Sequence, residues 1–201
     1  MAADHLLFET TMDNLLLNIS GPYGWPKFEN GLDQLPNIPG VYLQTVAHAE
    51  GFLPWGVGIT RRPMFKRFLE HTRKFEKGEY NILDLGAAQR GARELAWKGW
   101  GWTDEKRRDY ENRKNEVIAA AQLQMIRAHI FVIEAGNTVR ILERIEAALA
   151  NHYYDQNAHG PKGLLIDIGM HLEPRRESEE PLTVVFQCRD TLIGMPSQID
   201  I

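Results

Sequence analysis

The stretch that decides the fold reads GVYLQTVAHAEGFLPWGVGITRRPMFKRFLEHTRKFEK, residues 40–77, and its apolar pattern changes halfway along. The run GVYLQTV (residues 40–46) alternates, contains β-branched residues and is opened by a Pro-Gly pair. After the turn-like AHAEGF, the run PWGVGIT (residues 54–60) has the same character. Two such runs around a short turn predict an antiparallel β-hairpin.

The next segment, from about Pro63 to Lys77, predicts an α-helix. Its apolar residues recur at helical spacing, the proline stands near the first turn, and Gly78 follows the last turn. Arg67 and His71 are four residues apart, so their side chains project together along the edge of the apolar face. Two interpretations stay open: an arginine that packs its stem beside a half-buried histidine, or one wall of a phosphate-binding site.

The rest of the chain predicts further elements around this hairpin and helix. We expect a helix and connector within residues 1–37, irregular chain at 79–103, a charged helix at 104–126, a central strand at 128–135, a helix at 136–154, and strands at 163–170 and 182–188. This order is typical of the α/β (α+β) class, with a small mixed sheet, flanking helices, and N-terminal, internal helical and C-terminal β additions. The predicted domain division is residues 1–37, a core at 38–158 with an insertion at about 82–127, and a C-terminal β extension at 159–201 packed on that core.

Composition favours a soluble, cytoplasmic protein. The 201 residues are 43% hydrophobic and 25% charged, and no apolar run reaches the roughly 18 residues of a membrane span. The N-terminal segment carries acids rather than the basic start of a signal peptide. A single cysteine, Cys188, excludes an intrachain disulfide and a zinc site built from several cysteines. We therefore expect no membrane partner, and composition leaves the oligomeric state open.

The charge is distributed unevenly along the chain, although the net charge is only −4. Residues 61–77 hold seven bases against two acids, a net charge of +5, and residues 90–114 hold eight bases against five acids, a net charge of +3. Two basic segments can form one basic face for nucleic acid, or two solvated helix faces.

Three short motifs, GVY at 40–42, GVG at 56–58 and FKRFLEH at 65–71, occur in an order that resembles the GIY-YIG nuclease superfamily. That family has a Gly-Ile-Tyr strand and a Tyr-Ile-Gly strand in a hairpin. A helix with an arginine, and often a histidine one turn later, follows, and a later helix supplies one metal-binding glutamate. The resemblance covers roughly residues 38–158 without the insertion, and it implies a GIY-YIG-like core.

Position by position, the resemblance implies a catalytic set of Tyr42, Arg67, His71 and Glu146. Tyr42 with His71 would activate the water nucleophile, Arg67 would stabilise the phosphate, and Glu146 would hold one divalent ion, Mg²⁺ or Mn²⁺. The residues alone leave other roles open. Tyr42 fits a tyrosine that fills the core, and Glu146 fits a carboxylate paired with a base without any metal.

The helical wheel selects Glu146 without reference to the family. Glu146 falls inside the apolar face formed by Val139, Leu142, Leu149 and Tyr153, whereas Glu143 points farther out. A carboxylate that faces the body of a domain is costly unless a partner or a metal ion compensates it.

The second motif departs from the family because Gly56 stands where its members have their second tyrosine. Thr60 and Tyr80 are the candidates to replace the lost hydroxyl group. This departure keeps two functions open. The first is a metal-dependent endonuclease that hydrolyses DNA, as in restriction-type enzymes, and the second is an inactive member that binds nucleic acid or a partner. A third interpretation also stays open, an ordinary α/β protein whose resemblance to the family is due to chance.

The candidate nucleic-acid-binding residues are bases and tryptophans of the two basic segments. They are Arg61, Arg62, Lys66, Arg73, Lys74, Trp97, Lys98, Trp100, Arg107 and Arg108. Aromatic side chains among bases can stack on nucleobases while the bases contact phosphates. In the alternative, the tryptophans pin a long loop onto the core.

Overall fold

The computed structural model describes residues 14–101, 103–136, 138–158 and 173–201, with the backbone alone for 156–158. The described strands are β1 (Asn14–Gly24), β2 (Asp33–Gln34), β3 (Gly40–His48), β4 (Gly51–Thr60), β5 (Ile82–Leu83), β6 (Leu95–Trp97), β7 (Ala128–Ile133), β8 (Thr183–Cys188) and β9 (Gln198–Asp200). The described helices are α1 (Met64–Glu76), α2 (Leu85–Gln89), α3 (Asp104–Arg127) and α4 (Val139–Ala158).

The predicted mixed α+β class is confirmed. Seven strands form one mixed sheet in the order β4-β3-β7-β1-β8-β9, and β2 joins β1 beside this path. The predicted hairpin is present as β3 and β4, which pair antiparallel from Gly40 opposite Thr60 to His48 opposite Gly51. The predicted helix is α1, and β7 is central, as its continuous apolar sequence indicated.

The predicted N-terminal helix is wrong over the residues that the structure describes there. Residues 14–24 form β1, which lies between β7 and β8 in the middle of the sheet. The apolar run at 15–17 suits both a helix and a buried strand, because short runs of this kind do not separate the two periods. Pairing with β7 on one side and with β8 on the other decides in favour of the strand.

The third part of the chain extends the same sheet. The predicted strand at 182–188 is β8, which runs parallel to β1, and β9 pairs with it on its other side. The predicted strand at 163–170 lies outside the described residues. The segment at 79–103 is more ordered than its glycines indicated, since it contains α2 and the two-stranded sheet of β5 and β6.

The core lies on both faces of the sheet because successive strand residues point to opposite sides. Val41 and Leu43 pack with Leu142 and Leu149 of α4, whereas Tyr42 packs with the layer formed by α1 and α3. The side chain of Tyr42 is therefore presented to α1, where Arg67 and His71 lie.

A small cluster fixes α3 against the end of α1. Gly78, at φ +67°, ends the turn after α1, and a Cβ on it would lie 2.6 Å from Cδ2 of Tyr110. The Tyr110 hydroxyl donates to the Glu76 carbonyl at 2.6 Å, and the Trp97 indole donates to the Gly78 carbonyl at 2.8 Å. Among the described helices, none combines the length and apolarity that a membrane span needs.

Candidate active site

A cleft of about 330 Å³ lies beside the edge strand β4 and collects the four residues of the predicted catalytic set. Tyr42 comes from β3, Arg67 and His71 come from α1, and Glu146 comes from α4. These side chains reach one place because α1 and α4 approach the same edge of the sheet from its two faces.

The hydroxyl of Tyr42 connects two members of the set. It lies 2.8 Å from Nε2 of His71, and Nε of Arg67 donates to it at 3.3 Å. An arginine can only donate, so the tyrosine oxygen accepts from Arg67. The tyrosine proton can bond to Nε2 of His71 in the tautomer of that histidine that carries its own proton on Nδ1.

Burial keeps this network in one protonation state. Burial, together with the positive charges of Arg67 and Lys74, lowers the pKa of His71 to about 3. Burial also raises the pKa of Tyr42 to about 12, against the opposing effect of the Arg67 charge. At neutral pH, His71 is therefore neutral and Tyr42 keeps its proton.

Gly58 makes room for the tyrosine. It lies opposite Tyr42 in the hairpin, and a Cβ on it would overlap the Tyr42 hydroxyl. The ring of Tyr42 lies over this glycine and packs edge-on against Phe68, with ring centres 5.0 Å apart. Gly58, the last residue of the second motif, therefore has a steric role in the cleft.

Glu146 is half-buried and faces the cleft. Burial raises the pKa of Glu146, while a hydrogen bond from the backbone N–H of Ile59 and the charge of Arg67 lower it. Among the described residues, no ion pair joins Glu146 to a base. Nη1 of Arg67 instead lies 3.7 Å from Oε2 of Glu70. The carboxylate thus faces the cleft without the paired base that the alternative interpretation required.

The position of the missing tyrosine is occupied by other groups. Gly56 lies opposite Gln44, and a Cβ on it would lie 3.2 Å from Oε1 of that buried glutamine. Gln44 was absent from the predicted set, although it is two residues from Tyr42 on a strand and so shares its face. Of the two replacement candidates, Tyr80 lines the cleft, whereas the Thr60 hydroxyl donates to the Arg62 carbonyl at 2.9 Å.

Comparison with protein-family models, curated proteins and solved structures gave no match. The resemblance to GIY-YIG nucleases therefore stays a prediction that rests on the residues quoted above.

The predicted nucleic-acid-binding residues divide between several places on the surface. Arg61 pairs with Glu143, and Arg62 pairs with Glu70 at 2.8 Å, so both charges are partly compensated. Lys98 lies in a separate depression. The remaining bases of the set, Lys66, Arg73, Lys74, Arg107 and Arg108, are exposed.

The two tryptophans differ in exposure, and one prediction is wrong. Trp97 is buried beside Tyr110, so its indole is not available to stack on a base, and it pins the loop onto the core. Trp100 is 50% exposed and lies at the cleft beside Tyr80. Trp102 lies outside the described residues.

Proposed function

We propose that the chain is a metal-dependent endonuclease that hydrolyses phosphodiester bonds in DNA. The observation that carries the proposal is the shared cleft of Tyr42, His71, Arg67 and Glu146. It combines a proton-accepting pair, an arginine suited to phosphate oxygens and one carboxylate at the edge of the sheet.

The pair of Tyr42 and His71 is suited to activating water. A water molecule that attacks phosphorus can give its proton to the Tyr42 oxygen while the tyrosine proton moves to Nε2 of His71, 2.8 Å away. The pKa of His71, about 3, keeps that nitrogen unprotonated at neutral pH but also makes it a weak base, so the transfer requires the negative charge of the bound phosphate to raise that pKa. The bond from phosphorus to the leaving oxygen breaks as the bond to water forms.

Arg67 and Glu146 are suited to the charges of the phosphate. The guanidinium group keeps its Nε on Tyr42 and its Nη1 lies 3.7 Å from Oε2 of Glu70, so Nη2 is the nitrogen best placed for a phosphate oxygen. Glu146 would hold Mg²⁺ or Mn²⁺, and such an ion, when bound, neutralises charge on the leaving oxygen. One carboxylate in an open cleft fits Mg²⁺, which keeps several waters and takes substrate phosphate as a ligand. It does not fit zinc, which prefers three or four protein ligands.

Cleavage of supercoiled plasmid with Mg²⁺ or Mn²⁺ tests the proposal. We expect the wild-type protein to nick or linearise the plasmid, and Tyr42→Phe to be slower by roughly 10²–10⁴-fold. Arg67→Ala should be slower by roughly 10²–10³-fold. Wild-type protein that leaves the plasmid intact under both metals would contradict the proposal.

The second candidate is a DNA-binding module without catalysis, and Gly56 is the observation that favours it. The family's second tyrosine has no counterpart at this position, and Gln44 fills the space beside it. Plasmid that is retarded in a gel but never cut would support this candidate.

A further inference from the structure

We propose that a basic groove between the end of α1 and the first half of α3 holds the phosphate backbone of the DNA that enters the cleft. This inference rests on the proposed substrate, DNA, and adds where the strand runs. The groove has a volume of about 590 Å³, and its charged lining residues are Lys74, Lys77, Glu79, Arg107, Glu111 and Lys114. Four bases face two acids, so the lining has a net charge of +2.

The groove adjoins the cleft at one shared residue, Tyr80. Nζ of Lys74 lies 5.7 Å from the centre of the Tyr80 ring. Trp100, half-exposed, lies on the cleft side of this junction. A strand with one phosphate at Arg67 can therefore pass Tyr80 into the groove, with an aromatic surface for an unstacked base beside it.

The spacing of the bases suits successive phosphates. Arg107 and Lys114 are seven residues apart on α3, about 10.5 Å along the helix axis. That length exceeds the axial rise of about 3.4 Å per nucleotide of B-form DNA, so the two bases can contact different phosphates of one strand. Lys77 faces them from the end of α1, so bases from two elements line one track.

The groove is a fixed part of the fold. Tyr110 lies in its floor and bonds to the Glu76 carbonyl at 2.6 Å, which holds α3 at the end of α1. Lys74 and Glu79 pair at 2.6 Å within it. Lys77 and Arg107 have no ion pair among the described residues, and we assign these two bases, together with Lys114, to phosphate contact.

The chain offers a matched control for this assignment. Arg127, on α3, and Arg189 are also exposed, but they do not line the groove and are not among the predicted nucleic-acid-binding residues. The double variants Lys77→Ala/Arg107→Ala and Arg127→Ala/Arg189→Ala therefore remove the same charge. Only the first pair removes bases from the proposed track.

The test is binding of a short fluorescein-labelled DNA duplex in EDTA, measured by anisotropy over a range of salt concentrations. We expect the groove pair of substitutions, Lys77→Ala/Arg107→Ala, to weaken binding of the duplex at least tenfold relative to the wild type in dilute salt. Its slope of log K against log salt should be shallower by about 1.8, since each phosphate contact contributes about 0.9. The control pair should keep the wild-type slope. Equal effects of the two pairs, or no effect of the groove pair, would overturn the inference.

A gain of affinity provides a second test that misfolding cannot imitate. Glu111 is an exposed acid in the groove and lies 3.9 Å from Lys114. Glu111→Gln removes a charge that repels phosphate, so we expect tighter binding of the same duplex. Unchanged or weaker binding would contradict the groove.

The binding test separates this inference from the proposed activity. If the wild-type protein binds DNA, the variant Lys77→Ala/Arg107→Ala binds it more weakly, and neither cleaves it, the groove proposal stands and the nuclease proposal is wrong. If the wild-type protein cleaves DNA and the variant Lys77→Ala/Arg107→Ala binds DNA as tightly as the wild type, the nuclease proposal stands and the groove proposal is wrong. Absence of any binding by the wild-type protein would overturn the groove.

Discussion

Tyr42 organises the cleft at the scale of single residues, because one hydroxyl group bonds to both His71 and Arg67. The arginine donates to the tyrosine oxygen, and burial keeps the histidine neutral. The opposite strand contributes Gly58, whose missing side chain leaves the space that the phenol group occupies.

Glu146 should lower the stability of the protein at neutral pH, as expected for a carboxylate kept for function. Burial raises the pKa of Glu146 in the folded state. The folded protein therefore favours the protonated form, and stability falls as pH rises through that pKa. We expect Glu146→Gln to raise the melting temperature at pH 7.5, by about 2–4 °C for each 1 kcal/mol, because the amide oxygen can still accept from Ile59.

Glu143→Gln is the control for this prediction, since Glu143 lies on the same helix and pairs with Arg61 and Arg140. Glu143→Gln should lower the free energy of unfolding by at most about 1 kcal/mol, so its melting temperature should equal that of the wild type or lie slightly below it. Below pH 4, the advantage of Glu146→Gln should disappear. Thermal unfolding at both pH values measures these differences, and a lower melting temperature for Glu146→Gln at pH 7.5 would contradict the account.

The residues of the candidate site could be predicted from the sequence where helical periodicity places a polar residue against the core. Glu146 lies inside an apolar helical face, and Arg67 and His71 are one turn apart at the edge of another. The role of Gln44 depends on its being opposite Gly56, which only strand register reveals. The burial of Trp97 follows from its contacts with Tyr110 and Gly78, which are distant in sequence from one another and from it.

At the scale of elements, the hairpin and α1 were predictable because their signals are local. A Pro-Gly pair opens β3, a proline precedes α1, and a glycine follows it. β1 was assigned wrongly because its state depends on β7 and β8, which are more than 100 residues away. Tertiary pairing of this kind overrides local propensity.

Gly78 carries a prediction for the junction of α1 and α3. Gly78→Ala places a Cβ at a positive φ and against Tyr110, whereas Gly31→Ala places one at a similar φ of +77° with nothing within 4 Å. Both variants should lose about 1–2 kcal/mol from the left-handed conformation. Gly78→Ala should lose a further 1–3 kcal/mol, roughly, from the steric overlap.

Urea unfolding of the two glycine variants measures the difference. Equal losses of unfolding free energy would show that Tyr110 does not pack tightly on this turn. The same result would weaken the view that α3 is fixed at the end of α1.

At the scale of the whole molecule, one sheet runs through all three predicted segments. β1 comes from residues 1–37, β3, β4 and β7 come from the core, and β8 and β9 come from residues 159–201. The sheet places its edge strand β4 beside both α1 and α4, which brings residues 104 positions apart, Tyr42 and Glu146, into one cleft. The cleft and the basic groove share Tyr80, so the site and the proposed path of the strand are neighbours.

The measurement that tests the central claim most directly is single-turnover cleavage of a DNA duplex with Mg²⁺, compared between Glu146→Gln and Glu143→Gln. The duplex affinity of both variants is measured in parallel in EDTA. The account predicts that Glu146→Gln binds the duplex like the wild type but cleaves it at least roughly 10²-fold more slowly, while Glu143→Gln does both like the wild type. Equal cleavage rates for the two variants would contradict the account, because the carboxylate in the cleft would then have no part in the reaction.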